Sequence, residues 1–118
     1  MANSNIPLLT GAALYISTSV ADTALVVSAA STVLYEFELD NTANAAATYL
    51  RIYNTGSVTV GTTVPTWIVM VPASTKITMV LPAGVTFGTA VTLSAGTSAT
   101  LATTTAPSSA FALKIVYV

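Results

Sequence analysis

The sequence predicts an all-β, single-domain sandwich of about eight strands with a jelly-roll-like organisation, and three observations carry that prediction. Val33, Tyr35, Phe37 and Leu39 alternate with Leu34, Glu36, Glu38 and Asp40, a period of two that is expected to set apolar groups on one strand face and acids on the other. Short β-branched and aromatic runs recur along the chain, and no helical stripe free of helix breakers lies between them. Turn-forming residues punctuate the runs, a spacing that suits antiparallel strands rather than a parallel α/β sheet.

In chain order, strands are expected at about 13–19, 23–28, 33–39, 47–54, 66–71, 75–81, 89–95 and 110–118. The turns between them fall at Asn41-Thr42-Ala43-Asn44, Asn54-Thr55-Gly56-Ser57, Val71-Pro72-Ala73-Ser74 and Leu81-Pro82-Ala83-Gly84. In the run Trp67-Ile68-Val69-Met70-Val71 both faces are apolar, so both are expected to be covered, with Trp67 in the core. The Thr-rich tract from Ser98 to Ser109 is expected to be a long surface loop or a weak edge strand. Residues 1–10 form an expected extended arm ahead of a sandwich domain at 11–118. The arm carries the apolar cluster Ile6, Leu8 and Leu9 beside Pro7, which disfavours a central strand position.

Composition narrows the function classes. The chain has 118 residues, 53% of them hydrophobic, with only 3 Lys+Arg and 4 Asp+Glu. Spread over a folded surface on the order of 6,000 Å², so few charges leave Thr, Ser, Ala and Val facing outward, which favours life in an assembly over a free monomer. The chain contains neither Cys nor His, which removes thiolate chemistry together with the commonest general base and metal ligand, and no enzyme activity or cofactor is expected. Three scattered basic residues cannot neutralise a run of phosphates, so nucleic acid is not an expected partner. A membrane span is not expected either, because the charge-free stretch from Ile77 to Leu113 is interrupted by Pro82, Gly84, Gly88, Gly96 and Pro107. The amino terminus lacks a basic region and is broken by Pro7 and Gly11, the pattern of a chain made in the cytoplasm and left unprocessed.

Two candidate sites emerge from the residues alone. Glu36, Glu38 and Asp40 share a strand face with neighbours about 7 Å apart, near enough to share a cation or a sugar, or to form a solvated face partnered by Arg51 on the next strand. Gly56 to Thr63 has the glycine spacing of a phosphate loop, but Thr62 stands where that loop needs Lys; a turn at Gly56 and a kink at Gly61 are expected instead. The aromatic residues are expected in the core, the other reading being a sugar-binding platform on an exposed face.

The order of residues carries a further signal. Asp40-Asn41-Thr42-Ala43-Asn44, Ala47-Thr48-Tyr49-Leu50-Arg51-Ile52-Tyr53-Asn54, Val60-Gly61-Thr62-Thr63-Val64-Pro65, Val71-Pro72-Ala73 and Pro82-Ala83-Gly84-Val85-Thr86-Phe87 follow one another in a succession that resembles the head-decoration, or cement, proteins of tailed bacteriophages. The similarity covers roughly residues 33–118 and brings no catalytic motif. It implies a β-sandwich or jelly roll on the outer capsid surface, bound to the major capsid protein and assembled as a homo-oligomer, with a trimer favoured. It also implies a terminal arm, which would place Ile6, Pro7, Leu8 and Leu9 against a neighbouring subunit. The competing expectations are another virion component of the tail, neck or fibre, and a small carbohydrate-binding module.

Overall fold

The computed structural model describes residues 11–118, and these form eight strands without a helix. The strands are β1 (Ala13–Ser17), β2 (Leu25–Ser28), β3 (Thr32–Asp40), β4 (Thr48–Tyr53), β5 (Trp67–Val71), β6 (Lys76–Phe87), β7 (Val91–Gly96) and β8 (Ala112–Tyr117). They pair antiparallel in two four-stranded sheets, β1-β8-β3-β6 and β2-β7-β4-β5. The pairs β4·β5, β3·β6, β2·β7 and β1·β8 nest inside one another, as if one long hairpin had been rolled so that successive pairs fall in alternate sheets. That is the jelly-roll order, and the expectation of eight strands in a sandwich is met.

The alternation read from the sequence holds from Glu36 to Asp40, but the register shift between Leu34 and Glu36 reverses it before that point, so that Leu34 lies in the core while Val33 and Tyr35, expected there, are only half-buried. Phe37 and Leu39 of β3, Leu113 and Ile115 of β8, Leu50 and Ile52 of β4, and Leu93 and Ala95 of β7 are all buried and meet between the sheets. Each large aliphatic side chain buried this way contributes roughly 1.5–3 kcal/mol of transfer free energy. Trp67 faces the same layer, half-buried, and sets its ring edge-on to Phe37 at 6.2 Å and 87°.

The other side of β5 departs from expectation. Ile68 and Met70 are exposed, at 38% and 52%, although both faces of that strand are apolar. The reason is position: β5 ends its sheet, and the loops that cover the outer face do so over β7 and β4. A second correction concerns Leu81-Pro82-Ala83-Gly84, which does not separate two strands. β6 runs through it as a bulge, its register against β3 jumping from Val85 to Val80 while β3 advances only from Leu34 to Glu36. Proline is tolerated there because β6 is an edge strand. The bulge also needs a glycine: Gly84 has φ +74°, and a Cβ on it would lie 2.5 Å from Val33 Cγ1.

One end of the sandwich is sewn together by two buried asparagines. Asn41 Nδ2 donates to the carbonyls of Ala46, Val71 and Pro72 while its Oδ1 accepts from the Thr48 hydroxyl. Asn44 Nδ2 donates to the Ala110 carbonyl, and its Oδ1 accepts from the Ser109 amide. The asparagine turn seen in the sequence is therefore a junction of three loops.

Candidate functional site

Charge placement singles out one surface. All seven charged side chains lie within the described residues, and two of them, Arg51 and Asp22, are buried against each other with Nη1 and Oδ1 3.6 Å apart. The other five, Glu36, Glu38, Asp40, Lys76 and Lys114, all stand on the outer face of the β1-β8-β3-β6 sheet. The alternation of β3 puts its acids there, and the register brings the lysines opposite: Lys114 of β8 faces Glu38, and Lys76 of β6 faces Asp40.

Within that face Glu38 is the hub. Its Oε1 lies 2.9 Å from Lys76 Nζ and 3.9 Å from Lys114 Nζ. The hydrogen bond from Lys76, reinforced by both positive charges, holds the Glu38 carboxyl below its ordinary range, and the same bond raises Lys76. Asp40 is lowered by hydrogen bonds from the hydroxyl and amide of Thr42. Glu36 sits differently, between Val80 and Val116 in the cross-strand rows, with no ion pair among the described residues. Beside the hub is a shallow depression of about 180 Å³ lined by Ile16, Thr18, Asp40, Lys76 and Lys114 among others.

The three acids therefore share a face as the sequence predicts, but their partners differ from the expected one. Arg51 is not a neighbour of the acidic strand face: the β3–β4 connection crosses the sandwich, so β4 lies in the other sheet. No group of three or more acidic, His or Cys side chains is placed to hold a metal among the described residues. The aromatic residues are all buried or half-buried; Tyr35 and Tyr49, expected in the core, are half-buried outside it. Among the described residues no helix is long and apolar enough to cross a membrane. Ile6, Pro7, Leu8 and Leu9 lie outside the described residues.

What the sequence did not signal is the work of Arg51. Its Nη2 donates to the carbonyls of Ser98, Thr100 and Thr103, which clasps the Thr-rich tract onto the outer face of the β2-β7-β4-β5 sheet. The 54–66 loop closes over the same face, where the Thr92 hydroxyl donates to the Thr55 carbonyl at 2.6 Å. Gly61, kinked at φ +91° as expected, meets Thr104 where the two loops touch. As a result β7 is buried at all six positions although its outer face carries Thr92 and Ser94. An arginine amid Tyr49, Leu50, Ile52 and Tyr53 was the available signal, because a lone cation on a strand otherwise without charge needs a dedicated set of acceptors.

Compared with family models, with curated proteins and with solved structures, the chain matches none.

Proposed function

We propose that the chain is a non-enzymatic virion structural protein that decorates the outer surface of a capsid shell and stabilises it by bridging major capsid protein subunits. The observation that carries this reading is the charge segregation: one sheet face holds every exposed charged side chain, and the remaining surface of the described residues is mostly Thr, Ser, Ala and apolar groups such as Val64 at 74% and Met70 at 52% exposure. Surface of this kind costs less to desolvate than a charged one, so it suits contacts repeated over many copies of a lattice. The jelly roll serves viral coats and lectins alike, so the fold does not choose between them; the likeness of the sequence to decoration proteins favours the shell.

Binding to purified heads assembled without the chain tests this. Added protein is expected to co-sediment at saturable stoichiometry and to raise the temperature at which the heads rupture, since a ligand of the intact lattice stabilises it by mass action. Unsaturable binding, or saturated heads that rupture at the parental temperature, would refute the proposal.

A further inference from the structure

Among the described residues the sandwich has four sheet edges, and three of them carry features that limit further pairing. The β6 edge has Lys76, Pro82 and a bulge; β2 has four residues with a register shift between Val26 and Ser28; β5 is bracketed by Pro65 and Pro72. The fourth edge, β1, has none of these. Ala13-Leu14-Tyr15-Ile16-Ser17 contains no proline, no bulge and no charge, pairs only with β8 among the described residues, and exposes Leu14 at 58% and Ile16 at 55%.

The same five residues are a palindrome in side-chain character: small, large aliphatic, tyrosine, large aliphatic, small. Antiparallel pairing of two copies about a two-fold axis at Tyr15 would set Leu14 opposite Ile16 twice on the outer face. On the inner face it would set Tyr15 opposite Tyr15 and Ala13 opposite Ser17. Two-fold symmetry requires a patch that complements itself, and this strand does so on both faces with no like charges brought together. A charged partner would find nothing on β1 to pair with, whereas β1 of another copy is matched in charge, size and apolarity. The nearest cation, Lys114, stands one strand inward in the row of Ile16, clear of the open edge.

We infer that β1 is a self-association edge, through which two copies of this chain join their first sheets into one continuous eight-stranded sheet. The inference is independent of shell binding, and it gives a two-fold contact where the resemblance to decoration proteins implies a trimer. A five-residue edge pair falls at the small end of specific interfaces, so the association is expected to depend on concentration.

Sedimentation velocity of the full chain over a range of concentrations should show a monomer–dimer equilibrium. The double substitution L14K/I16K, at exposed positions, sets lysines opposite each other across the axis and should weaken the dimer at least tenfold; I16K also stands beside Lys114 of its own β8, a cost that the L14E/I16K variant shares. The swap L14E/I16K sets opposite charges across the axis and should restore it, which a merely nonspecific apolar contact would not do. I68K/M70K on β5 should leave the dimer intact. Amide exchange of the unsubstituted chain gives a reading free of substitutions: protection at Ala13–Ser17 should rise with concentration. A chain that is monomeric or trimeric throughout, a dimer lost with I68K/M70K instead, or protection of β1 that does not vary with concentration would overturn the inference. So would dimerisation that appears only after deletion of residues 2–10, because the chain's own amino-terminal segment would then be the occupant of the edge.

Discussion

Arg51 shows how much one residue can organise. It is fully buried, yet its guanidinium is held by three loop carbonyls through one nitrogen and by a loose pairing to Asp22, while Nε and Nη1 make no hydrogen bond among the described residues. Removing a partner of a buried charge leaves the other uncompensated, which costs about 3–5 kcal/mol. Arg51→Met is therefore expected to lose about 3 kcal/mol in urea denaturation and to open the 97–109 tract to a nonspecific protease; unchanged cleavage there would contradict the clasp. Arg51→Lys should not rescue it, because an ammonium lacks the planar fork that reaches separated acceptors.

The acids act in opposite senses on acid stability. Glu38 is lowered in the fold by Lys76, so its contribution is present above its unfolded pKa and lost as pH falls through the folded value. Asp22 is raised, by burial against the opposing pull of Arg51, so the folded protein takes up its proton first and gains relative stability as pH falls toward the unfolded value. Because Glu38 and Lys76 are exposed, solvent screens their pairing, and the acid-side loss should be shallow. Denaturation between about pH 3 and 6 is expected to show a flatter acid limb for E38Q than for the parent, and a steeper one for D22N. Parallel limbs in all three proteins would show that neither carboxyl is perturbed as described.

At the scale of elements, β5 offers a sharp contrast between its two faces. Trp67→Ala removes a ring that packs against Phe37 and the inter-sheet core, and is expected to cost about 3 kcal/mol. Met70→Lys, on the exposed face of the same strand, should change stability by no more than about 0.5 kcal/mol. Equal losses from both substitutions would mean that the outer face is covered. The contrast also marks where the sequence stops being legible. Alternation showed which faces of β3 are wet and dry from Glu36 to Asp40, where acids and apolar groups differ strongly, but it failed at Val33–Tyr35, where a bulge shifts the parity and no acid marks it, and an apolar run such as Trp67–Val71 has no such contrast, so only the sheet order reveals that β5 is an edge. Pro82 misled for a related reason: proline excludes a central strand, and β6 is not central. The pairing of Glu38 with two lysines was likewise hidden, because Lys76 and Lys114 reach β3 through long-range register rather than through sequence proximity.

For the molecule as a whole, the rolled hairpin converts a charge-poor sequence into a particle with one charged face and an otherwise uncharged surface. Composition foretold the scarcity of charge, while its concentration on one face follows from topology, since β3, β6 and β8 are brought side by side from distant parts of the chain. The proposed arm should be separable from this body. Deleting residues 2–10, which removes Ile6, Pro7, Leu8 and Leu9, is expected to leave the melting temperature within a few degrees of the parent and to lower the occupancy of heads. Parental occupancy would exclude a docking role for that segment.

The most direct measurement of the proposed role is the position of the chain in the virion that contains it, read from electron cryo-microscopy density of intact particles. The account predicts a jelly-roll density repeated over the outer head surface and seated where major capsid protein subunits meet. Density confined to the tail, neck or fibres, or heads bare of it at full occupancy of the particle, would contradict it.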